Sequence, residues 1–160
     1  EPVAVGAGEG TVEFKLNVDN PTVSTASEAF LQAADGAPGW EGQAWTRTIR
    51  VPVTTLDALI ARHGPPAFIK IDVEGFEAEA LAGLTCPPPA LSFEFTTIQR
   101  EVGIAAIERC AALGFSRYNA MLGEDHALVL PDWVGAGAIA DWLRALPIAA
   151  NSGDIYALPP

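Results

Sequence analysis

Two carboxylates stand one residue apart in Phe68-Ile-Lys-Ile-Asp72-Val-Glu74-Gly-Phe-Glu77, directly after a short apolar run. A third, Glu94, closes a second apolar run, Ala90 to Phe95. Carboxylates at neighbouring strand ends can take a proton from a hydroxyl as general bases. They can also grip the hydroxyls of a polyol directly, or together form an oxygen-rich cup for a hard cation such as Mg²⁺. The direct grip, without metal, is the preferred reading. A structural role competes with it, because acids ahead of a helix cap free N–H groups and favour the positive end of its dipole. Glu77 falls in the first helical turn and reads as such a dipole partner.

The elements that must position these acids follow from pattern. Residues 67–71 form a buried strand that stops at acidic residues and a glycine, as a parallel strand of an α/β sheet does. Ligands of such sheets sit beyond the carboxyl ends of the strands. Residues 76–84 are predicted helical, residues 90–95 a second strand ending at Glu94, and residues 104–113 a helix ending at Gly114. Residues 115–121 and 127–130 read as strands, 134–146 as an amphipathic helix, and 155–158 as a final strand. Upstream, residues 2–5 end a strand. Thr11–Asn17 alternates with Val12, Phe14 and Leu16 on one face, and Thr46–Val53 alternates with Ile49, Val51 and Val53. These two can pair as an antiparallel hairpin. Thr54, with Asp57 three positions on, fits a capping box for a helix running to His63. A short helix is predicted between Ser27 and Ala34. Strands alternating with helices specify a layered α/β domain over residues 1–160, with the hairpin region 11–53 as an embellishment.

Composition narrows the partners. The 160 residues carry a net charge of -11 and only two lysines, Lys15 and Lys70. Such an acidic surface repels phosphate backbones, so nucleic acid is not expected as a partner. No apolar run reaches the roughly 20 residues that span a bilayer. Cys86 and Cys110 have no metal-type spacing and read as reduced, buried thiols, which points to the cytoplasm.

Beyond chemistry and pattern, the chain resembles a known family. Val53-Thr-Thr-Leu-Asp57, Ile69-Lys-Ile-Asp-Val-Glu-Gly75, Glu77 and Leu81-Ala-Gly83 resemble the FkbM family of methyltransferases. Pro2-Val-Ala-Val5 with Glu9-Gly10, Ser24-Thr25 and the closing Gly153-Asp154-Ile-Tyr-Ala157 agree in order. The resemblance implies a Rossmann-like class I fold, S-adenosylmethionine as cofactor, and O-methylation of a hydroxyl on a sugar, glycan or polyketide-like acceptor. Asp72 would then lie nearest the transferred methyl, with Glu74 and Glu94 orienting the acceptor. Ala4 and Val5 would give apolar contacts to the cofactor, and Asp72 would contact it too.

One feature of that fold has no counterpart here. Gly6-Ala-Gly-Glu-Gly10 precedes a strand rather than opening a helix, so it does not match a cofactor-cradling glycine turn. The chain therefore reads as the C-terminal part of a class I domain, binding the cofactor poorly on its own. Two other functions compete: a non-enzymatic α/β binding or assembly module, and a metal-dependent phosphotransfer or hydrolytic enzyme using the same three acids. Among the remaining candidates, Lys70 either neutralises the acids or extends its stem to solvent. His63 reads as a helix-end residue. His126, after Glu124 and Asp125 in a turn, reads as surface decoration rather than a base. Trp40 and Trp45 can cover an acceptor, whereas Trp133 and Trp142 read as packing residues.

Overall fold

The computed structural model describes residues 1–123 and 125–160. Glu124, placed by sequence in a turn before His126, lies outside the described residues. The domain is mixed α/β and contains two sheets. The first has strands β1 (Ala4–Val5), β2 (Gly10–Asn17) and β3 (Trp45–Thr54) in the order β1-β3-β2. The expected hairpin is present, and Val12 faces Val51 while Phe14 faces Ile49 across the antiparallel pair. β1 runs parallel to β3, with Ala4 opposite Val53. Helix α1 (Glu28–Ala34) follows β2, its N-terminus capped by the Ser27 hydroxyl, which accepts from Phe30 N–H at 3.1 Å.

The second sheet has strands β4 (Ile69–Ile71), β5 (Leu91–Thr96), β6 (Arg117–Leu122) and β7 (Ser152–Leu158) in the order β4-β5-β7-β6. β4 and β5 are parallel, and β7 runs antiparallel to both β5 and β6. Helices α2 (Leu56–His63), α3 (Glu77–Ala82), α4 (Arg100–Ala112) and α5 (Ala136–Ala145) complete the chain. Leu91, Phe93, Phe95 and Ile155 point to one face of this sheet and share a core with Ile104, Ile107 and Leu143 of α4 and α5. Gly103 permits that contact, since a Cβ there would meet Leu143 Cδ2 at 2.8 Å and Phe95 Cβ at 3.2 Å.

Several local expectations need correction. Thr55, not Thr54, caps α2, accepting from Ala58 N–H at 3.0 Å, because Thr54 still pairs with Val5 in the sheet. Asp57 instead accepts from the Thr85 backbone and hydroxyl at 2.9 and 2.7 Å. Residues 127–130 are loop rather than strand. Gly123 and His126 both have positive φ just upstream, and Pro131 follows. The loop is pinned to β6 by Val129 N–H to Ala120 O (2.8 Å) and Leu130 N–H to Asn119 Oδ1 (3.2 Å). Glu94 lies inside β5 rather than at its end, because Phe95 and Thr96 continue the ladder with Gly153 and Ser152. Cys86 is exposed, and only Cys110 is buried. Trp40 and Trp45 form edge contacts with Phe30 at 5.0 and 6.2 Å, making a second small core. Trp142 packs edge-on to Phe95 as expected, but Trp133 is exposed. Among the described residues, no helix is long and apolar enough to cross a membrane.

Candidate functional site

The apolar run Ile69–Ile71 ends β4, and the chain leaves it through a tight turn. Glu74 has φ +51 and Gly75 has φ +83, so two successive residues adopt the left-handed region. That conformation is ordinary for glycine and costly for glutamate, a cost the surroundings must offset. They do so from two directions. Thr25 Oγ1 donates to the Glu74 carbonyl at 2.7 Å, tying the turn to the segment after β2. Glu77 Oε1, almost fully buried, accepts from Val73 N–H at 3.1 Å and Gly75 N–H at 3.3 Å. Glu77 is thus a brace for the turn, in keeping with the structural role expected of it.

The braced turn brings three acids together. Carboxylate oxygens of Asp72, Glu74 and Glu94 all lie within 4.8 Å of one another. Asp72 is largely open to solvent, whereas Glu74 and Glu94 are mostly covered. Lys70 borders the group. Its Nζ donates to both carboxylate oxygens of Asp154 at 2.8 Å and lies 3.4 Å from Asp72. The lysine therefore pairs with the acids while its side chain remains half exposed, combining the two roles considered for it.

Burial dominates the electrostatics of the covered pair. It pushes the Glu74 carboxyl up to about 7, with Asp72 and Glu77 adding repulsion. It pushes Glu94 up to about 9, with Glu74, Asp72 and Glu77 adding to the rise and Lys70 opposing it. A Glu94 carboxyl that keeps its proton at neutral pH can donate a hydrogen bond as well as accept one. Glu74, near half-ionised, can take a proton. The Glu74 Oε2 atom is buried without a hydrogen-bond partner. The arrangement can grip and deprotonate a hydroxyl, and its spacing also suits a hard cation.

A family model, the methyltransferase FkbM domain, matches residues 1–126. The chain belongs to this family. No curated protein matches the chain. The FkbM match covers β1 through β6 and includes all three acids, while α5 and β7 lie beyond it.

The residues expected to meet the cofactor are placed apart. Val5 lines an apolar groove of about 370 Å³ with Val3, Leu56, Ile60 and Ile69, beside the start of β4. Ala4, one residue earlier, lines a separate shallow groove against Phe14, Ile49 and Val51 of the hairpin. Asp72 stands at the far end of β4 from Ile69. His63 is engaged by Glu1, with Nε2 2.8 Å from Glu1 Oε1, and His126 is exposed. Sequence reasoning passed over Thr25 and Asp154 as site residues. Thr25 carries no local signal, because its partner is 49 residues away. Asp154 was detectable: in Ser152–Leu158 polar Ser152, Asp154 and Tyr156 alternate with Gly153, Ile155 and Ala157.

Proposed function

We propose that this domain serves an S-adenosylmethionine-dependent O-methyltransferase whose acceptor is a hydroxyl of a sugar, glycan or polyketide-like molecule. FkbM membership makes methyl transfer the reaction class. The observation that carries the finer reading is the convergence of Asp72, Glu74 and Glu94 just beyond β4, with the covered pair held near neutral. Neutral and half-ionised carboxyls suit an uncharged hydroxyl, which both donates and accepts hydrogen bonds. They suit an anionic acceptor far less.

The residues present fit part of the cofactor. Asp72 offers a carboxylate for hydroxyl or ammonium groups, whereas the apolar groove beside Val5 and Ile69 lies at the opposite end of β4 and does not share a site with it. Among the described residues, no glycine-rich turn opens a helix, so binding by this chain alone is expected to be weak. When bound, S-adenosylmethionine supplies an electrophilic methyl group. The protein's own part is to place the acceptor oxygen and remove its proton. In this reading Asp72 lies nearest the transferred methyl. Glu94 would donate to one acceptor oxygen, and Glu74 would take the proton from the oxygen that receives the methyl, whose bond to sulfur breaks as its bond to oxygen forms. No metal is required for these steps.

Calorimetric titration of S-adenosylmethionine, paired with transfer of a radiolabelled methyl to a panel of monosaccharides, tests the proposal. Asp72→Asn is expected to weaken cofactor binding, and Glu74→Gln to abolish transfer while leaving cofactor binding intact. Full transfer by Glu74→Gln would remove Glu74 as the base.

A further inference from the structure

Residues 31–45 border a groove that shares no residue with the acid site. It measures about 600 Å³, inside the span of roughly 300–1,000 Å³ typical of small-molecule sites. Trp40 and Trp45 line it, together with Asp35, Glu41, Gln32 and Gln43. A chain of turns shapes it. Ala37 N–H donates to Ala34 O at 3.1 Å, Trp40 N–H to Ala37 O at 3.0 Å, and Gln43 N–H to Trp40 O at 3.3 Å. Gly39 takes φ +87 just before Trp40, a conformation that glycine adopts readily. The segment is then tied to its surroundings. Gln43 Oε1 accepts from Asn17 Nδ2 at 2.7 Å, and Trp45 Nε1 donates to Val23 O at 2.8 Å. The shape of the groove is therefore set before any ligand arrives.

Two features of the lining point to an occupant. The first is charge. Asp35 and Glu41 are exposed, and among the described residues no lysine, arginine or histidine lines the groove to offset them. The half-buried Trp45 adds aromatic surface beside them. Carboxylates and indole π surface both attract an ammonium group. The second feature is an unmet donor. Trp40 is only 8% exposed, and its Nε1 is buried without a hydrogen-bond partner among the described residues. A buried N–H without an acceptor is costly, and a ligand that supplies the acceptor recovers the loss.

We propose that this groove binds an aliphatic amine that also carries a neutral carbonyl oxygen. Asp35 and Glu41 hold the ammonium against Trp45, and the carbonyl accepts from Trp40 Nε1. A carbonyl oxygen only accepts, whereas a hydroxyl also donates and would be diverted to the neighbouring carboxylates. A carboxylate on the ligand would satisfy Trp40 as well, but the two acids repel it. The net charge of -11 further raises the local concentration of cations. This site is independent of methyl transfer, and neither reading depends on the other.

Titration followed by tryptophan fluorescence and calorimetry tests the site, using three probes of similar length. N-acetylputrescine carries the ammonium and the carbonyl, putrescine lacks the carbonyl, and N-acetyl-γ-aminobutyrate has a carboxylate where the ammonium was. N-acetylputrescine is expected to bind, putrescine to bind about tenfold more weakly, and N-acetyl-γ-aminobutyrate not to bind. Asp35→Asn and Glu41→Gln should each weaken N-acetylputrescine about fivefold. Trp40→Phe should erase its advantage over putrescine. Asp35 and Glu41 are exposed, so their variants are expected to fold and carry the test should Trp40→Phe prove unstable. Absence of N-acetylputrescine binding to the folded protein would overturn the site. So would equal binding of putrescine or of N-acetyl-γ-aminobutyrate, or undiminished binding when both acids are replaced.

Discussion

The two sheets of this domain are built to different standards of burial, and the candidate site sits where they meet. Leu91, Phe93 and Ile155 of the four-stranded sheet are fully buried under two helices. The hairpin of β2 and β3 leaves Phe14, Leu16, Ile49 and Val51 around an open shallow groove. The four-stranded sheet can hold strand ends in fixed positions, because close-packed cores resist displacement. The hairpin region contributes to the site through one directed contact, the Thr25 hydroxyl on the Glu74 carbonyl. Rigidity at the acids therefore comes from the packed sheet, and the shape of the Glu74 turn depends on the more open region.

Substitutions of matched type can break that comparison. Phe93→Ala is expected to cost about 3–5 kcal/mol, as large core truncations do. Ile49→Ala, on the half-exposed hairpin, should cost only about 1 kcal/mol. Urea denaturation of both variants measures the difference, and equal losses would mean the hairpin is as integral to the fold as the packed sheet. Gly75→Ala comes next. Its Cβ would enter positive φ, lie 2.9 Å from Phe30 Cβ and collide with Gln99 Oε1, at an expected cost of about 2–4 kcal/mol. A smaller loss is expected from Thr25→Val, which leaves the Glu74 carbonyl and the Ser27 N–H without their partner. About 1–3 kcal/mol should be lost. Hydrogen exchange should quicken at residues 73–77 while β5 stays protected. Equal acceleration in both would show that the turn and the packed sheet open as one unit.

Much of this division was legible in the chain. Alternation in Thr11–Asn17 and Thr46–Val53 announced the hairpin, and the apolar runs ending at acids announced β4 and β5. The clustering of Asp72 and Glu74 follows from adjacency. That of Glu94 follows from parallel pairing of the two apolar runs. What local pattern could not supply was long-range or geometric. The partner of Thr25, the separate seats of Ala4 and Val5, and the absence of a strand at residues 127–130 each depend on tertiary contacts or on unusual φ values. The polar face of the second sheet needed the register as well, since Lys70, Ser92 and Tyr156 meet only when β4, β5 and β7 align.

The acids sharpen the comparison through pH. A carboxyl whose folded pKa is raised stays protonated in the native state while the unfolded chain ionises. Its contribution is complete below the ordinary value of 4.5 and is lost as pH rises through the folded values, about 7 for Glu74 and about 9 for Glu94. Stability should therefore fall between pH 5 and pH 9. Glu94→Gln, which keeps the shape without the charge, should flatten that fall and raise the Tm at pH 8 by about 3 °C. Thermal scans across the range decide it. An unchanged slope in Glu94→Gln would place the buried charge cost elsewhere.

The smallest effect is expected at the rim, where Glu1 meets Arg62 and His63 at the end of α2. Those charges lie at the surface, where solvent and salt screen attraction and long side chains lose freedom by pairing. The hydrogen bonds from Arg62 and His63 favour the ionised carboxyl and hold the Glu1 pKa below its usual value. Glu1 nevertheless lines the apolar groove beside Val5, so removing its charge changes the groove's chemistry more than the fold's stability. Glu1→Gln should leave the urea midpoint unmoved while altering retention of an apolar dye in that groove. A clear loss of stability would show that the pair anchors β1 and that the open sheet depends on its charges.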